Sequence, residues 1–345
     1  MMSAKPDPRG SEASPRTRWG ICGTGRMAGT IATELAGLGE CGAELCAVGS
    51  RSREAAAAFA ERYSIARAHG SYAALARDPA IDVVYIATPP SLHCELALAC
   101  IESGKAVLCE KPFALNAVEA ARMIRAARQR GVFLMEAMWT RFLPALTAVR
   151  EIIAAGSLGA IRLVVGGGGF VPTYDPRLPL FNKALGGGVL LDAGVYLVSL
   201  ASLLLGPPTE VIAHGRLGPS GVDEQDVLLL GHPGGAQAVL YVSLATRRSP
   251  DLEILGERGQ LRIEAPVFRP TRLTLRHGDE TPVTVEHPVA GSGYRAELVE
   301  VMSAFTAGRR ESLVMPLNET LSIMQTLDAV RATLGLTYPQ EAAHR

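Results

Sequence analysis

The feature that most constrains the fold of this chain is a regular alternation of short apolar runs and helical patterns over residues 19–140. The five apolar runs read RWGICG, AELCAVGS, DVVYIAT, KAVLCE and VFLMEAM, and a helical pattern follows each of the first four. Such alternation predicts a parallel sheet covered by helices on both faces. We therefore expect an α/β domain over residues 19–142. Residues 1–18, which are polar and rich in Pro, Ser and Arg, are predicted to form a disordered tail.

The pattern changes after Pro144. One helical segment leads into many strand-like runs, several of them separated by turn sequences such as HPGG and GERG. These runs predict a mostly antiparallel, or mixed, sheet. Helical patterns over residues 294–307 and 317–334 close the chain. We expect an α+β domain over residues 143–345, whose last helix can pack back on the first domain.

Composition narrows the class of protein. The chain has 34 Lys and Arg residues against 34 Asp and Glu, so its balanced charge argues against a nucleic-acid partner or a polybasic membrane anchor. No run of about 20 apolar residues stands out as a membrane span, and the first residues lack the apolar core of a secretory signal. The six cysteines form no C-x-x-C pair. They are predicted to be reduced core thiols of a cytoplasmic protein without a metal site.

The hexapeptide GTGRMA, residues 23–28, follows the first predicted strand and begins the first helix. In this G-x-G-x-x-G/A pattern the glycines allow a tight turn and close approach of a pyrophosphate to the helix N-terminus. Its position at the start of a strand–helix–strand series predicts a Rossmann dinucleotide site. The residues predicted to contact the cofactor here are Gly23, Thr24, Gly25, Arg26 and Met27.

The second strand ends in AVGSRSRE, which places Ser50, Arg51 and Ser52 at its tip. A site for NAD usually carries an acidic residue there, to bind the ribose hydroxyls. An arginine flanked by hydroxyls suits a 2′-phosphate instead, so NADP(H) is favoured over NAD. The alternative is that Arg51 is a solvated loop residue.

The third and fourth strands end in ATPPSLH and CEKPF. Ligands bind at the carboxyl ends of parallel strands, so Thr88 and Pro89 are candidate cofactor contacts. His93 either lines the site or caps the next helix. A charged pair, Glu110 and Lys111, is unfavourable in a core but suits the rim of a cofactor crevice. Lys111 is predicted to face the nicotinamide and the substrate, with Glu110 orienting it; the alternative is a surface ion pair.

A second cluster of candidates lies in LGGGVLLDAGVYLVSLASLLLG, residues 185–206. Asp192 and Tyr196 are four residues apart and are expected to share one face of a helix. The alternative is a helix N-terminal charge and a core aromatic residue. Further candidates are Trp139 and Arg141 for the cofactor, Arg177, Phe181 and Asn182 for the substrate, and, with less support, Phe268 and Tyr294.

Four of these motifs, GTGRMA, ATPPSLH, AVLCEKPFALN and GGGVLLDAGVY, occur in the order typical of the Gfo/Idh/MocA oxidoreductases, and the chain after residue 18 resembles that family. The resemblance is strongest to the branch of dimeric dihydrodiol dehydrogenases and NADP-dependent aldose dehydrogenases. It implies a Rossmann doubly wound sheet and a second domain with an open-faced sheet that binds substrate and forms oligomers. It also implies that Lys111 is catalytic. Many members carry D-x-G-x-H, where this chain has Tyr196 in place of the histidine.

The resemblance implies an NADP-dependent enzyme that transfers a hydride to or from a CH–OH group of a sugar or cyclic diol, and that forms a homodimer or tetramer. Tyr196 is expected to exchange the proton, with Lys111 lowering the pKa of Tyr196 and Asp192 orienting Lys111 or binding a substrate hydroxyl. One alternative is an NADPH-dependent reductase of a keto or deoxy sugar, such as a nucleotide-linked one. A non-catalytic NADP-binding regulatory protein is a second alternative.

Overall fold

In a computed structural model, which describes residues 16–342, the first domain is built on a parallel six-stranded sheet. Its strands are β1 (Thr17–Cys22), β2 (Ala43–Gly49), β3 (Arg67–His69), β4 (Val83–Ile86), β5 (Ala106–Glu110) and β6 (Leu134–Ala137). Its helices are α1 (Arg26–Ala36), α2 (Arg53–Arg62), α3 (Tyr72–Ala76), α4 (His93–Glu102) and α5 (Ala117–Arg130). The strand order β3-β2-β1-β4-β5-β6 is that of a Rossmann sheet, as expected.

Two elements of the first domain, β3 and α3, were not predicted. β3 has only three residues, Arg67–His69, none of them fully buried, so it lacks an apolar run. It forms because its backbone pairs with the end of β2 at the edge of the sheet. The short α3 follows it. β1 begins at Thr17, one residue before the predicted strand RWGICG and inside the predicted tail, and residues 1–15 of that tail lie outside the described residues.

The second domain is built on an eight-stranded sheet in the order β14-β13-β12-β11-β7-β10-β9-β8. Its strands are β7 (Ile161–Gly169), β8 (Glu210–Leu217), β9 (Asp223–Gly231), β10 (Gln237–Ser243), β11 (Arg248–Gly256), β12 (Gly259–Ile263), β13 (Arg272–His277) and β14 (Val283–Glu286). The helices are α6 (Pro144–Ala154), α7 (Val195–Leu205), α8 (Arg295–Thr306), α9 (Leu317–Leu334) and α10 (Pro339–Ala342). Within the described residues only the β7–β10 pair is parallel.

The second sheet is covered on one face. α7 and α9 pack against it, and α9 also contacts α5 and β6 of the first domain. On the opposite face Ile212, Val227 and Leu229 are 52%, 49% and 37% exposed. The alternation along β9, in which Leu228 and Leu230 are buried, separates a core face from an apolar outer face.

One segment corrects an expectation from the sequence. Lys183–Leu205 is long and apolar enough, by length and composition, to cross a membrane. Its most apolar part is 67% buried inside the protein, and α7 contacts β7 and β10. Its hydrophobicity is therefore explained by a place in the core of the second domain.

Candidate active site

The glycine motif forms an open helix end. α1 begins at Arg26 behind Gly25, and in the described part of the chain no side chain caps this end and no acidic residue occupies its first turn. A Cβ atom on Gly25 would meet nothing within 4 Å. At the end of β4 the buried Thr88 hydroxyl has no partner among the described residues. Free N–H groups at a helix N-terminus and an unpaired hydroxyl fit a dinucleotide phosphate and ribose.

The three residues predicted at the tip of β2 differ in exposure and in role. Ser50 is buried, whereas Arg51 and Ser52 are exposed. The Ser52 Oγ accepts a hydrogen bond from the Ala55 N–H at 3.1 Å and caps α2, so its first role is structural. The exposed guanidinium of Arg51 is the group that suits a phosphate.

Lys111 follows β5 at the same rim of the sheet as the glycine motif. Beneath it Glu110 is buried: its carboxylate accepts hydrogen bonds from the Tyr85 hydroxyl and, at 3.1 Å, from the Lys111 backbone N–H. Burial raises the pKa of Glu110, against the opposing effects of the Tyr85 hydrogen bond and the Lys111 charge. The opening of the turn after β5 is thus fixed by a buried carboxyl group, which agrees with the predicted orienting role.

Lys111 bridges the two domains. Its Nζ donates to the Asp192 backbone carbonyl at 2.7 Å, lies 3.3 Å from Asp192 Oδ1, and lies 4.8 Å from the centre of the Tyr196 ring. The structure therefore brings together the three residues predicted to be catalytic. Burial lowers the pKa of Lys111, but the neighbouring Tyr196, Asp192 and Glu110 outweigh it and raise the pKa above its usual range. Lys111 is accordingly an ammonium group at neutral pH.

Tyr196 is partly buried and has a second neighbour. The Trp139 indole Nε1 donates a hydrogen bond to the Tyr196 Oη at 3.0 Å, and Tyr294 stacks on Trp139 with ring centres 4.4 Å apart. Phe268 lies on another side, 6.0 Å from the Tyr196 ring centre. The sequence suggested that Trp139 contacts cofactor or substrate. Trp139 is only 4% exposed and contacts both Tyr196 and Tyr294, and its contact with cofactor or substrate stays a prediction.

The helix that carries Asp192 and Tyr196 begins with a π-helical turn, Leu190–Gly194, which continues into α7. The Leu190 N–H donates to the buried carboxylate of Asp223 at 2.6 Å. Gly188 has φ +124°, and a Cβ there would lie 2.0 Å from Asp223 Oδ1. The glycine is therefore required for close packing, rather than supplying flexibility.

His93 does not line the site. It is fully buried; its Nδ1 lies 2.9 Å from the Pro112 carbonyl oxygen and its Nε2 lies 2.8 Å from the Thr88 carbonyl oxygen. It also does not cap α4 through its side chain. The prediction that it contacts the cofactor is wrong: it joins the turns after β4 and β5, and so sets the spacing between Thr88 and Lys111.

The prediction that Arg141 contacts the cofactor is also wrong. Its side chain is fully buried and pairs with Glu319 of α9 at 2.7 Å, while its Nε donates to Ser199 Oγ of α7 at 2.9 Å. A guanidinium that is already paired and excluded from solvent cannot bind a cofactor phosphate. Arg141 ties the first domain to two helices of the second.

The three predicted substrate residues of the loop before α7 have other contacts. Arg177 is exposed and pairs with Asp175 at 2.7 Å. Phe181 is buried beside Tyr174, at a ring-centre distance of 4.9 Å. Asn182 Oδ1 accepts from the Ala184 N–H at 3.0 Å and caps a short turn. None of these contacts joins the Lys111 cluster, so they remain predictions as substrate residues.

The arrangement of Lys111, Asp192 and Tyr196 supports proton transfer at the rim of the first sheet. Burial raises the pKa of Tyr196, whereas the Lys111 charge and the Trp139 hydrogen bond lower it, and the net pKa lies above its ordinary value. The expectation that Lys111 lowers the tyrosine pKa is right in sign, but burial is the larger effect. Among the described residues no group of His, Cys, Asp and Glu side chains could hold a metal ion.

A Rossmann domain whose rim carries an ammonium group and a phenol defines a nicotinamide-dependent oxidoreductase. Residues 17–138 match the sequence model of the oxidoreductase family with an NAD-binding Rossmann fold, and residues 146–262 match that of the GFO/IDH/MocA C-terminal domain. This chain belongs to the Gfo/Idh/MocA family, as its motifs predicted.

Individual relatives extend over the whole length. The trans-1,2-dihydrobenzene-1,2-diol dehydrogenase of Mus musculus is 37% identical over 331 residues, which cover 94% of this chain and 98% of the mouse protein. An aldose-aldose oxidoreductase from Caulobacter crescentus, solved with glycerol, has a TM-score of 0.83 and 27% identity and covers 92% of this chain and 97% of its own. A 3-ketoreductase from Actinomadura kijaniata, solved with NADP and TDP-benzene, has a TM-score of 0.81 and 26% identity, with 92% and 98% covered.

Proposed function

We propose that this protein is an NADP-dependent oxidoreductase that interconverts a CH–OH group and a carbonyl on a sugar or cyclic diol. The observation that carries the proposal is the convergence of Lys111, Asp192 and Tyr196 beside the rim of the dinucleotide sheet. The relatives named above act on dihydrodiols, aldoses and keto groups, as their names state, and support this substrate class.

Each residue of the cluster has a separate task. Lys111 remains an ammonium group and donates a hydrogen bond to the substrate oxygen. Tyr196 accepts the hydroxyl proton during oxidation and returns it during reduction. Asp192 holds the Lys111 ammonium in place through its carbonyl and carboxylate. When bound, the nicotinamide supplies the acceptor or donor of the hydride.

The preference for NADP rests on Arg51. The glycine motif fits either dinucleotide, and relatives of this family bind NAD or NADP. An exposed guanidinium at the tip of β2, where NAD sites place a carboxylate, supports contact with a 2′-phosphate.

The reductive direction is the second candidate, and one observation favours it. Burial raises the pKa of Tyr196, so at neutral pH the phenol carries its proton. A protonated phenol is the form that donates to a carbonyl oxygen in reduction, whereas oxidation requires the phenolate. The protein would then be an NADPH-dependent reductase of a keto or deoxy sugar.

We further propose a cytoplasmic homodimer, or a dimer of dimers. The support is the apolar outer face of the second sheet, which includes Ile212, Val227 and Leu229. Covering such a face with a second copy removes apolar surface from water.

The experiment that tests this function mixes the purified protein with NADP⁺ or NAD⁺ and a panel of aldoses and trans-dihydrodiols, and follows the absorbance of the reduced cofactor. A parallel panel of keto sugars is run with NADPH. Turnover with one substrate supports the proposal and fixes the direction. Binding of NADP(H) without turnover in either panel would favour the regulatory protein, and no binding of either dinucleotide would reject the site assignment.

A further inference from the structure

Residues 287–294 connect β14 to α8 and reach from the second domain onto α1 of the first. We call this segment the strap. Its Ser292 donates twice to Glu34 Oε1, from the backbone N–H at 2.8 Å and from the hydroxyl at 2.5 Å. Arg295, directly after the strap, lies with its Nε 3.3 Å from Glu34 Oε2. One carboxylate of the first domain therefore binds the strap at Ser292 and the first residue of α8, Arg295.

Glu34 is an unusual carboxylate for its place. It is only 5% exposed and lies in the last turn of α1, where the helix dipole disfavours a negative charge. Burial raises the pKa of Glu34, but the hydrogen bonds from Ser292 and the charge of Arg295 more than offset it, and the net pKa lies below its usual range. The charged carboxylate is stable here because the strap is docked.

The two residues that follow Ser292 in the strap meet Trp139, beside the catalytic cluster. Gly293 has φ +102°, and a Cβ on it would lie 2.7 Å from Trp139 Cζ3, so the backbone presses directly on the indole. Tyr294 stacks on the same indole. The Tyr294 hydroxyl also reaches Met27 Sδ of the glycine motif, at 3.9 Å. The strap thus touches Glu34, the first turn of α1, and the face of Trp139.

Trp139 connects the strap to Tyr196. Its indole N–H donates to Tyr196 Oη at 3.0 Å, and the direction of that N–H depends on where the ring is held. The strap supplies two of the groups that hold it, the Gly293 backbone and the Tyr294 ring. The Arg269 guanidinium, next to Phe268, donates to the Gly291 carbonyl at 2.8 Å and adds a further contact to the strap.

We propose that Glu34 is a positioning residue for Tyr196. By binding the strap, Glu34 keeps the Trp139 indole N–H directed at the Tyr196 phenol oxygen. This inference rests on the function proposed for Tyr196. A hydrogen bond to the charged form of an acid lowers its pKa. Releasing the strap should therefore raise the pH at which Tyr196 becomes a base.

The test compares Glu34→Gln and Ser292→Ala with the wild type and with Glu40→Gln, an exposed carboxylate four residues past the end of α1 in the following turn. In the oxidative direction, Glu34→Gln should lower kcat at neutral pH about three- to tenfold and shift the pH profile to higher pH. KM for the substrate should change less than twofold. In a Trp139→Phe background, Glu34→Gln should have no further effect on the profile. An unshifted profile, or equal shifts in both backgrounds, would overturn the proposal.

A second readout does not depend on turnover. The chain has 2 tryptophans, Trp19 and Trp139, so in a Trp19→Phe protein the emission reports Trp139. Glu34→Gln should increase quenching of that emission by acrylamide, whereas Glu40→Gln should not. If no substrate is found, the proposed function fails. Unchanged quenching separately rejects the proposal that Glu34 holds the strap against Trp139. A change in quenching with an unshifted pH profile would reject the link to Tyr196.

Discussion

The indole nitrogen of Trp139 and the phenol oxygen of Tyr196 lie 3.0 Å apart, which makes Trp139 a direct hydrogen-bond donor to the candidate acid–base. Lys111 contributes from the ring face, 4.8 Å from its centre. Both groups stabilise the phenolate, and burial opposes them. The protonation state of this tyrosine is therefore set by burial against two neighbours on different segments, Lys111 directly after β5 and Trp139 after β6.

Tyr196→Phe removes the proton carrier and leaves the ring in place. Turnover should fall by at least about a hundredfold, which is the usual contribution of general acid–base catalysis. NADP(H) binding, measured by fluorescence titration, should be unchanged. Tyr241→Phe, on β10, is the matched control and should keep full activity. Retention of turnover in Tyr196→Phe would exclude the assigned role.

Trp139→Phe removes the donor and keeps an aromatic ring. Oxidation needs the phenolate, so its rate should rise with pH up to the pKa of Tyr196, and reduction should fall above it. Because a hydrogen bond to a charged acceptor is worth about 1.5–3 kcal/mol, kcat for oxidation at neutral pH should drop roughly tenfold or more. The rising limb of the pH profile for oxidation should move to higher pH. A profile that superposes on the wild type would show that the indole does not tune Tyr196.

Arg51→Ala should separate the two dinucleotides. Loss of a charged contact to the 2′-phosphate should weaken NADP⁺ binding by about ten- to a hundredfold and leave NAD⁺ binding nearly constant. Arg53→Ala, at the first position of α2, controls for a general loss of positive charge. Isothermal titration with both dinucleotides measures the effect. Equal weakening of NAD⁺ and NADP⁺ would argue against a 2′-phosphate contact.

Glu136 should make stability depend on pH. It is fully buried on β6, and burial raises its pKa from 4.5 to about 7, against the opposing effects of Thr320 and Arg141. The folded state thus holds a proton that the unfolded state releases, so the contribution of Glu136 is fully present below pH 4.5 and is lost as pH rises to about 7. Relative to Glu136→Gln, the wild type should lose roughly 3 kcal/mol over that window in urea unfolding. Glu253→Gln, an exposed carboxylate, should show no such divergence.

Leu229→Arg should reveal whether the open sheet face is an interface. Leu229 pairs with Ile212 across β8 and β9, and both side chains point away from the core. A charge at the centre of an apolar interface is costly, so sedimentation velocity should show a dimer for the wild type and a monomer for the variant. Glu210→Arg, near the edge of the same face, should remain dimeric. An already monomeric wild type would refute the dimer.

The strand tips were predictable because chemistry and periodicity coincide there. A buried strand that ends in Glu110, Lys111 and Pro112 has no simple structural explanation, and the parallel sheet brings that tip beside the glycine motif. The pattern LLDAGVY placed Asp192 and Tyr196 together at a helix start, and the family resemblance implied their catalytic role.

The errors come from contacts that are distant in sequence. Arg141 and Trp139 belong to one short segment, AMWTRF, yet Arg141 pairs with α9 and Trp139 with α7. Nothing in that segment indicates which side chain turns inward. His93 was misjudged for a related reason, since its partners are backbone carbonyl oxygens, which carry no sequence signal.

The loop before Asp192 depends on a residue far along the chain: the Tyr338 hydroxyl donates to the Gly187 carbonyl at 2.9 Å. During synthesis on the ribosome this contact cannot form until Tyr338 has left the exit tunnel. The loop before Asp192 therefore reaches its final arrangement only late in synthesis.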